Sequence, residues 1–438
     1  MKKFWFAFAA LAVLFYPYAL FAGERLADDV LAKKREGTYP VGLPLVNYTS
    51  DTGFGFGARA YLYMNGSRDD KNFAYEPYGT QIFAQFYMTT KNYHYHELNL
   101  DAYNIFSTNL RLMSSLYFEA DQNAPYYGIG KAASKRKLTD PYTGRQYSRM
   151  SSYTEHFLKA GSRENYKYNK YRYTTPTFKS DVQGEISKYF KWIAGFKVSY
   201  WDIKSWQGRT FTLNGNKHTS GQTLFDVERP KGAEGGLYNT LKVGVSFSSL
   251  DFAPDPRRGW YVDYNFETSQ KWIGSEAAFY RSTFGVRYYL TFWEPLTFAL
   301  RLAYTMAQGD IPLYEMNRFA FSASRPAGLG GSRTLRGYAG SRFVAPTMSL
   351  ANLEARFRFL EITPWRERFE FKLVLFADAG NCYSSGAGLF AEPNFGGYKY
   401  CGGAGLLIAW NQATIVHFYW GFSPEDNSIS IDFGHAID

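Results

Sequence analysis

The sequence predicts an all-β chain, a sixteen-stranded antiparallel transmembrane β-barrel. Three observations carry that expectation. Sixteen segments alternate apolar and polar side chains over lengths that can cross a bilayer. Tyr (37) and Phe (38) help raise aromatics to 19% of the chain, which suits girdles at two membrane interfaces. The chain also opens like an export signal: Lys2-Lys3 precede an apolar run from Phe4 to Leu20, interrupted by Pro17. No later stretch approaches the ~20 consecutive apolar residues of a membrane helix.

Taken in order, residues 1–22 read as a signal peptide cleaved after Ala22. Residues 23–38 read as a short polar periplasmic segment, too short to bury a core of its own. Residues 39–438 read as the outer-membrane barrel. The candidate strands are 39–49, 53–65, 78–90, 93–105, 109–120, 174–188, 191–205 and 237–249, then 258–269, 276–290, 297–307, 347–361, 367–383, 398–410, 413–422 and 427–436. Each nears or exceeds the ~9–11 residues that a tilted strand needs to span. An even count closes the sheet with both ends on the periplasmic side and leaves no free edge.

The alternation is legible residue by residue. In 349–359, Ala351, Leu353, Ala355, Phe357 and Phe359 share one face, and Asn352, Glu354, Arg356 and Arg358 share the other. Trp260, Val262, Tyr264 and Phe266 oppose Tyr261, Asp263, Asn265 and Glu267. Such faces fit lipid outside and a polar lumen inside. Strand parity then makes 187–189 and 293–295 periplasmic turns, and 121–173 and 206–236 long external loops. The basic cluster Lys131, Lys135, Arg136 and Lys137 in the first of these reads as a solvated face. His94 and His96 share their face with Leu98 and Leu100, so a membrane-interface position is expected rather than a metal site.

The net charge of +10 points to outer-membrane lipids, lipopolysaccharide or an acidic client, since an exported chain rarely meets nucleic acid. No G-x-S-x-G, H-E-x-x-H or P-loop occurs. No enzyme, no metal site and no cofactor is therefore expected. Cys382 and Cys401 bracket a Gly/Ser-rich external loop at facing ends of one predicted hairpin, which in an oxidising compartment predicts a disulfide.

One stretch departs from the strand pattern. Residues 325–343, RPAGLGGSRTLRGYAGSRF, hold five glycines and four arginines between clean strands. Glycine lets backbone approach backbone closely, and guanidinium forks seek carboxylates. Within it, Leu335-Arg336-Gly337-Tyr338 after Gly330-Gly331-Ser332 resembles the [VL]-R-G-[FY] motif of the outer-membrane Omp-eighty-five superfamily, also called bacterial surface antigen D-fifteen. Three further stretches are similar to that family in its order. Leu250–Tyr261 (LDFAPDPRRGWY) resembles its D-x-x-x-x-P-x-R-G-x-x turn, Asn352–Arg356 (NLEAR) its N-x-E-x-R strand after the sixth loop, and Phe376–Gly380 (FADAG) its F-x-D-x-G strand.

The resemblance implies a BamA/TamA-like barrel whose long sixth loop folds into the lumen. It implies that Arg336 pairs there with Glu354 and Asp378, with Phe376, Gly380 and Arg356 as neighbouring strand-motif positions. It implies a short seam between first and last strands that can open sideways. On the last strand, Ile429, Ile431 and Phe433 are expected to face lipid, while Gly434 weakens the strand near its end. The implied function is insertion or translocation of proteins, or of lipids, at the outer membrane. The family's POTRA domains find no counterpart in 23–38, so a separate periplasmic partner is expected to replace them, and the client stays unnamed. The alternative is a passive diffusion channel that kept the fold.

Overall fold

The computed structural model describes residues 26, 31–32, 34–159, 162–321, 328–364, 367–383, 397–410 and 414–437. The predicted signal peptide, Arg325 and most of the loop between the two cysteines lie outside the described residues.

Sixteen antiparallel strands close into one barrel, each paired with its sequence neighbours and the last with the first. They are β1 Thr38–Thr49, β2 Gly53–Met64, β3 Thr80–Thr89, β4 Tyr93–Ala102, β5 Arg111–Pro125, β6 Lys170–Glu185, β7 Phe190–Lys204 and β8 Gly236–Ser248. Then follow β9 Gly259–Ser269, β10 Phe279–Trp293, β11 Leu296–Gly309, β12 Thr347–Ile362, β13 Phe369–Tyr383, β14 Lys399–Trp410, β15 Thr414–Phe422 and β16 Asn427–Phe433. Every candidate strand is present, with ends shifted by a few residues. One end carries meaning: the last strand stops at Phe433 instead of 436, because Gly434 adopts a left-handed φ of 85° and turns the chain inward.

The faces sort as the alternation requires. Leu353, Phe357 and Phe359 are exposed on the outer wall, while Asn352, Glu354 and Arg356 are at most 2% exposed. On β9, Trp260 and Tyr264 face outward and Asp263, Asn265 and Glu267 inward. His96 stacks on Phe86 at 4.4 Å between centroids, on the outer wall. The lumen is not uniformly polar, however. Val374, Phe376, Leu407, Ala409, Ile415 and Tyr419 of β13–β15 form a dry inner patch with Ala436. An inward apolar side chain is tolerated where another segment, rather than water, covers it.

The long external loops are folded rather than merely solvated. Residues 126–169 hold a helix Met150–Leu158, which buries Tyr153 and Phe157 against Leu138. Residues 205–235 hold a hairpin, Thr210–Leu213 with Asn216–Thr219, and a helix Leu224–Glu228 capped reciprocally by Thr223 and Asp226. The connection between β11 and β12, residues 310–346 and termed loop 6 below, does not stay outside. Its Leu329, Leu335, Tyr338 and Phe343 are almost fully buried with Met348 and Leu350.

Candidate functional site

Loop 6 descends along the inner wall of β12–β15, where Arg336 anchors it. The side chain is 2% exposed. Nε and Nη2 donate to Asp378 at 2.9 and 2.7 Å, and Nη1 donates to Glu354. The Arg336 amide also donates to Asp378, at 3.1 Å. The guanidinium lies 3.7 Å from the Phe376 ring centre and 4.9 Å from that of Tyr419, so its flat faces are covered as well as its edges. Glu354 is shared with Arg356, 2.7 Å away, and Asp378 also accepts from Asn352 at 2.7 Å. Two carboxylates thus face two guanidiniums, the arrangement in which buried charge is tolerable.

Backbone contact explains the small residues. A Cβ on Gly337 would lie 2.6 Å from the Phe422 carbonyl carbon, and one on Gly421 would lie 2.3 Å from the Arg336 carbonyl oxygen. A Cβ on Gly380 would press on Leu329 and Leu335. Leu335 fills the space that Gly380 leaves, and the Tyr338 hydroxyl reaches the Tyr400 carbonyl at 3.4 Å. The predicted loop motif, its acidic partners and its strand motif therefore meet in one place.

The cysteines do not form the predicted disulfide; both are free and buried. The register places Cys401 opposite Asp378, four residues along β13 from Cys382. At ~3.3 Å per residue that separates the two by roughly 13 Å, beyond the ~7 Å within which Cα atoms can be bridged. Cys401 instead joins the loop 6 anchor. Its sulfur accepts from the Gly337 amide at 3.3 Å and donates to Asp378 at 3.6 Å.

Loop 6 has a second anchor that sequence reading missed. The short helix Leu313–Met316 places Glu315 in the lumen, 1% exposed. It pairs with Lys197 of β7 at 2.7 Å, Arg281 of β10 at 3.0 Å and Arg318 of its own loop at 2.6 Å. Glu267 of β9 completes the group with Arg281 and Arg318. Alternation alone puts Lys197, Glu267 and Arg281 inward, but nothing periodic marks their partner in a loop.

The periplasmic end is also plugged. After Gly434 the chain enters the lumen, where the Ala436 carbonyl accepts from Arg301 at 3.0 Å and Ile437 is buried with Tyr289 and Ala299. His435 sits 3.2 Å from Asp255 of the β8–β9 turn, which also holds Lys372. Asp251 organises that turn by accepting from the Arg257 and Arg258 amides at 3.0 and 3.2 Å. Arg301 also donates to the Arg333 carbonyl of loop 6, so one side chain ties loop and tail together.

The seam is the weakest ladder in the barrel. β1 and β16 share two register pairs, Tyr48 with Ile431 and Thr49 with Ser430. Every other neighbouring pair shares at least seven. Ile431 and Phe433 are exposed on the lipid side and Ile429 is partly so, as expected. β16 has seven residues and β15 nine, against sixteen in β12, so the wall is lowest beside the seam.

A family model, the Omp85 superfamily domain, matches residues 130–417, more than half of the chain. The chain belongs to the Omp85 superfamily. A domain of unknown function, DUF5982, matches residues 16–79. No curated protein matches the sequence. Among solved structures, BamA from Haemophilus ducreyi lacking POTRA domains 1-3 is similar at 12% identity and a TM-score of 0.54. That match covers 92% of this chain and 71% of that one. CdiB from Escherichia coli is similar at 10% identity and a TM-score of 0.49, over 91% of this chain and 63% of that one. CdiB from Acinetobacter baumannii gives 10%, 0.47, 91% and 60%. The chain thus spans about three fifths of either CdiB chain. The Omp85 fold is that of an integral outer-membrane barrel, and it is consistent with protein insertion or translocation.

Proposed function

We propose that this Omp85 barrel inserts or translocates proteins, or lipids, at the outer membrane by opening between β1 and β16, with a separate periplasmic protein delivering the client. The observation that supports this most is the two-pair seam in a sheet otherwise paired by seven or more. At roughly 0.5–1.5 kcal/mol net per hydrogen bond, so short a ladder opens at a cost a client strand can repay by pairing in its place. The low wall at β15 and β16 adds local hydrophobic mismatch, which costs fractions of a kcal/mol per Å and thins lipid where the client would cross. The barrel works without catalytic chemistry. Its lumen is filled from above by loop 6 and from below by residues 435–437, so the barrel rests closed.

The test is a seam lock. Thr49→Cys with Ser430→Cys joins residues that face each other in register. Client insertion by purified protein in lipid vesicles should stop in the oxidised variant and return with reductant. Undiminished insertion by the locked protein would overturn the reading. Purification from native outer membranes in mild detergent tests for the periplasmic partner, which should co-purify stoichiometrically.

The diffusion channel is the second reading, and one feature favours it. A cavity of about 310 Å³ remains in the lumen, lined by Tyr95, Glu119, Lys179, Asp181, Lys242 and Arg318 among others. Large steady conductance of the wild-type protein in planar bilayers would select this reading.

A further inference from the structure

Loop 6 does more than occupy the lumen: its tip reaches both flanks of the seam. Asp51 lies in the β1–β2 turn on one flank, and Glu425 in the β15–β16 turn on the other. Gly340 packs directly against the Asp51 carboxylate: a Cβ on Gly340 would stand 3.1 Å from Asp51 Oδ2 and 3.3 Å from its Cγ. Two residues on, Arg342 Nε and Nη2 donate to Glu425 at 2.7 and 3.1 Å, with the arginine 3% exposed. Arg342 is further held against the Tyr127 and Phe343 rings at 4.8 and 5.0 Å. The external loop 126–169 reinforces the same flank, since the Met150 amide donates to the Glu425 carbonyl at 2.8 Å.

What lies behind these contacts matters as much. A cavity of about 340 Å³ sits at the outer mouth of the seam, lined by Ser50, Asp51, Ala339, Asp426 and Ser428 and by the helix Met150–Leu158. The strand ends at this mouth are therefore not sealed by packing over their whole length. The ladder below adds two register pairs and the Ser50–Ile429 bonds at 3.0 and 2.9 Å. Closure at the outer end falls to the segment that bridges the two turns.

We propose that Gly340 and Arg342 of loop 6 form a clasp across the outer end of the seam, so that the seam opens only when the loop tip lets go of Asp51 or Glu425. The clasp makes loop 6 the regulator of the opening as well as a lumen plug. Arg336 fixes the loop to the inner wall of β12, β13 and β15, on one side of the seam, whereas Gly340 and Arg342 join turns that must separate for the barrel to open. This inference rests on reading the seam as the moving part, and it concerns closure without any client.

The test uses the full chain in native outer membranes, with Ser430→Cys as reporter. Ser430 is 4% exposed on the inner face of β16, and native Cys382 and Cys401 are 1% and 8% exposed. Labelling of the thiol introduced at position 430 by a membrane-impermeant maleimide reads seam opening. Arg342→Ala and Glu425→Gln should each accelerate labelling at least tenfold. The exchanged pair Arg342→Glu with Glu425→Arg should return it toward the wild-type rate. A second reporter, Thr240→Cys, sits 3% exposed on β8, away from the seam, and should label at the wild-type rate throughout. Unchanged labelling at position 430 in the single variants would overturn the clasp. Equal acceleration at position 240 would overturn it too, because that reports general loosening of the barrel. Failure of client insertion by the wild-type protein would count against the proposed function and leave this readout unaffected.

Discussion

Replacing Arg336 by alanine removes three charged hydrogen bonds and a guanidinium packed on two rings. Breaking a fully buried ion pair costs ~3–5 kcal/mol when the partner charge is left uncompensated. Here the partners are only partly abandoned. Glu354 keeps Arg356, and Asp378 keeps Asn352 and the backbone amide of residue 336. That places the electrostatic cost near the lower end, ~3 kcal/mol, and loss of the ring contacts adds ~1 kcal/mol. About 4 kcal/mol is expected in all. The barrel ladder does not depend on this site, so the cost should appear as release of loop 6 before it appears as unfolding. By mass action, ~4 kcal/mol corresponds to a several-hundredfold rise in the released population. Limited proteolysis of loop 6 in detergent-solubilised protein reads that release, and urea titration followed by Trp fluorescence reads the barrel. Arg336→Lys should lose about half as much, because an ammonium satisfies one carboxylate and lacks the fork. In the cycle with Asp378→Asn, the double variant should cost less than the sum of the singles by ~1.5–3 kcal/mol. A protease-resistant loop and unchanged stability in Arg336→Ala would refute the reasoning, and strict additivity would refute the pairing.

Three further outcomes are expected. Glu315→Gln leaves Lys197, Arg281 and Arg318 facing only Glu267 across the lumen, so loop 6 should become protease-sensitive at its N-terminal part while the Arg336 half stays protected. A thiol count on denatured, unreduced protein should give two free thiols, matching the buried free cysteines; a count of zero would restore the disulfide. Asp51 supplies a pH dependence. Burial holds its carboxyl above the usual value of 3.8, against the Gly340 amide, Lys91 and Lys170, with Asp426 pushing the same way as burial and Glu155 across the cavity. A carboxyl raised in the clasped state takes up a proton on clasping, so its contribution is full below the unclasped value and lost as pH rises through the clasped one. Seam labelling should therefore quicken as pH is raised above about 4, the ordinary carboxyl value, and Asp51→Asn should flatten that dependence.

Local alternation, together with the strand count, the aromatic content and the apolar opening segment, was enough to read the barrel. Leu353 and Glu354 are neighbours in sequence and face lipid and lumen because the strand period is two, a rule that needs no tertiary information. The Arg336 anchor was legible for a different reason: the loop motif and both acids sit in short, recognisable segments. What escaped has no such mark. Glu315 looks like any loop glutamate until its helix is placed beside β7, β9 and β10. The inward apolar faces of Val374, Phe376 and Ile415 contradict a wet lumen, and they become sensible only once loop 6 and Ala436 are seen to cover them. The disulfide failed on register. Two cysteines bracketing a loop look opposed in sequence, but pairing Asp378 with Cys401 carries Cys382 four residues past its supposed partner.

The energy that keeps this barrel shut is therefore not in the strands that meet at its seam. Two register pairs at ~0.5–1.5 kcal/mol net per hydrogen bond contribute only a few kcal/mol. The remainder comes from the clasp on the outer turns, from the Ser50–Ile429 and Asn47–Asp432 bonds, and from lumen contacts that reach β16 from inside. Arg333 donates to the Phe433 carbonyl at 3.1 Å, and His417 Nδ1 lies 2.8 Å from the Gly434 carbonyl. Arg301 holds residue 436 and loop 6 with one guanidinium. These contacts make the position of β16 depend on where loop 6 and the tail sit. A client or partner that displaces either from the lumen weakens the seam without touching it. Arg301→Ala should loosen both at once, and it should raise labelling of the Ser430→Cys reporter more than loss of Arg333 alone, because it severs the tail as well as the loop. Equal effects of the two would mean that the tail contributes nothing to closure.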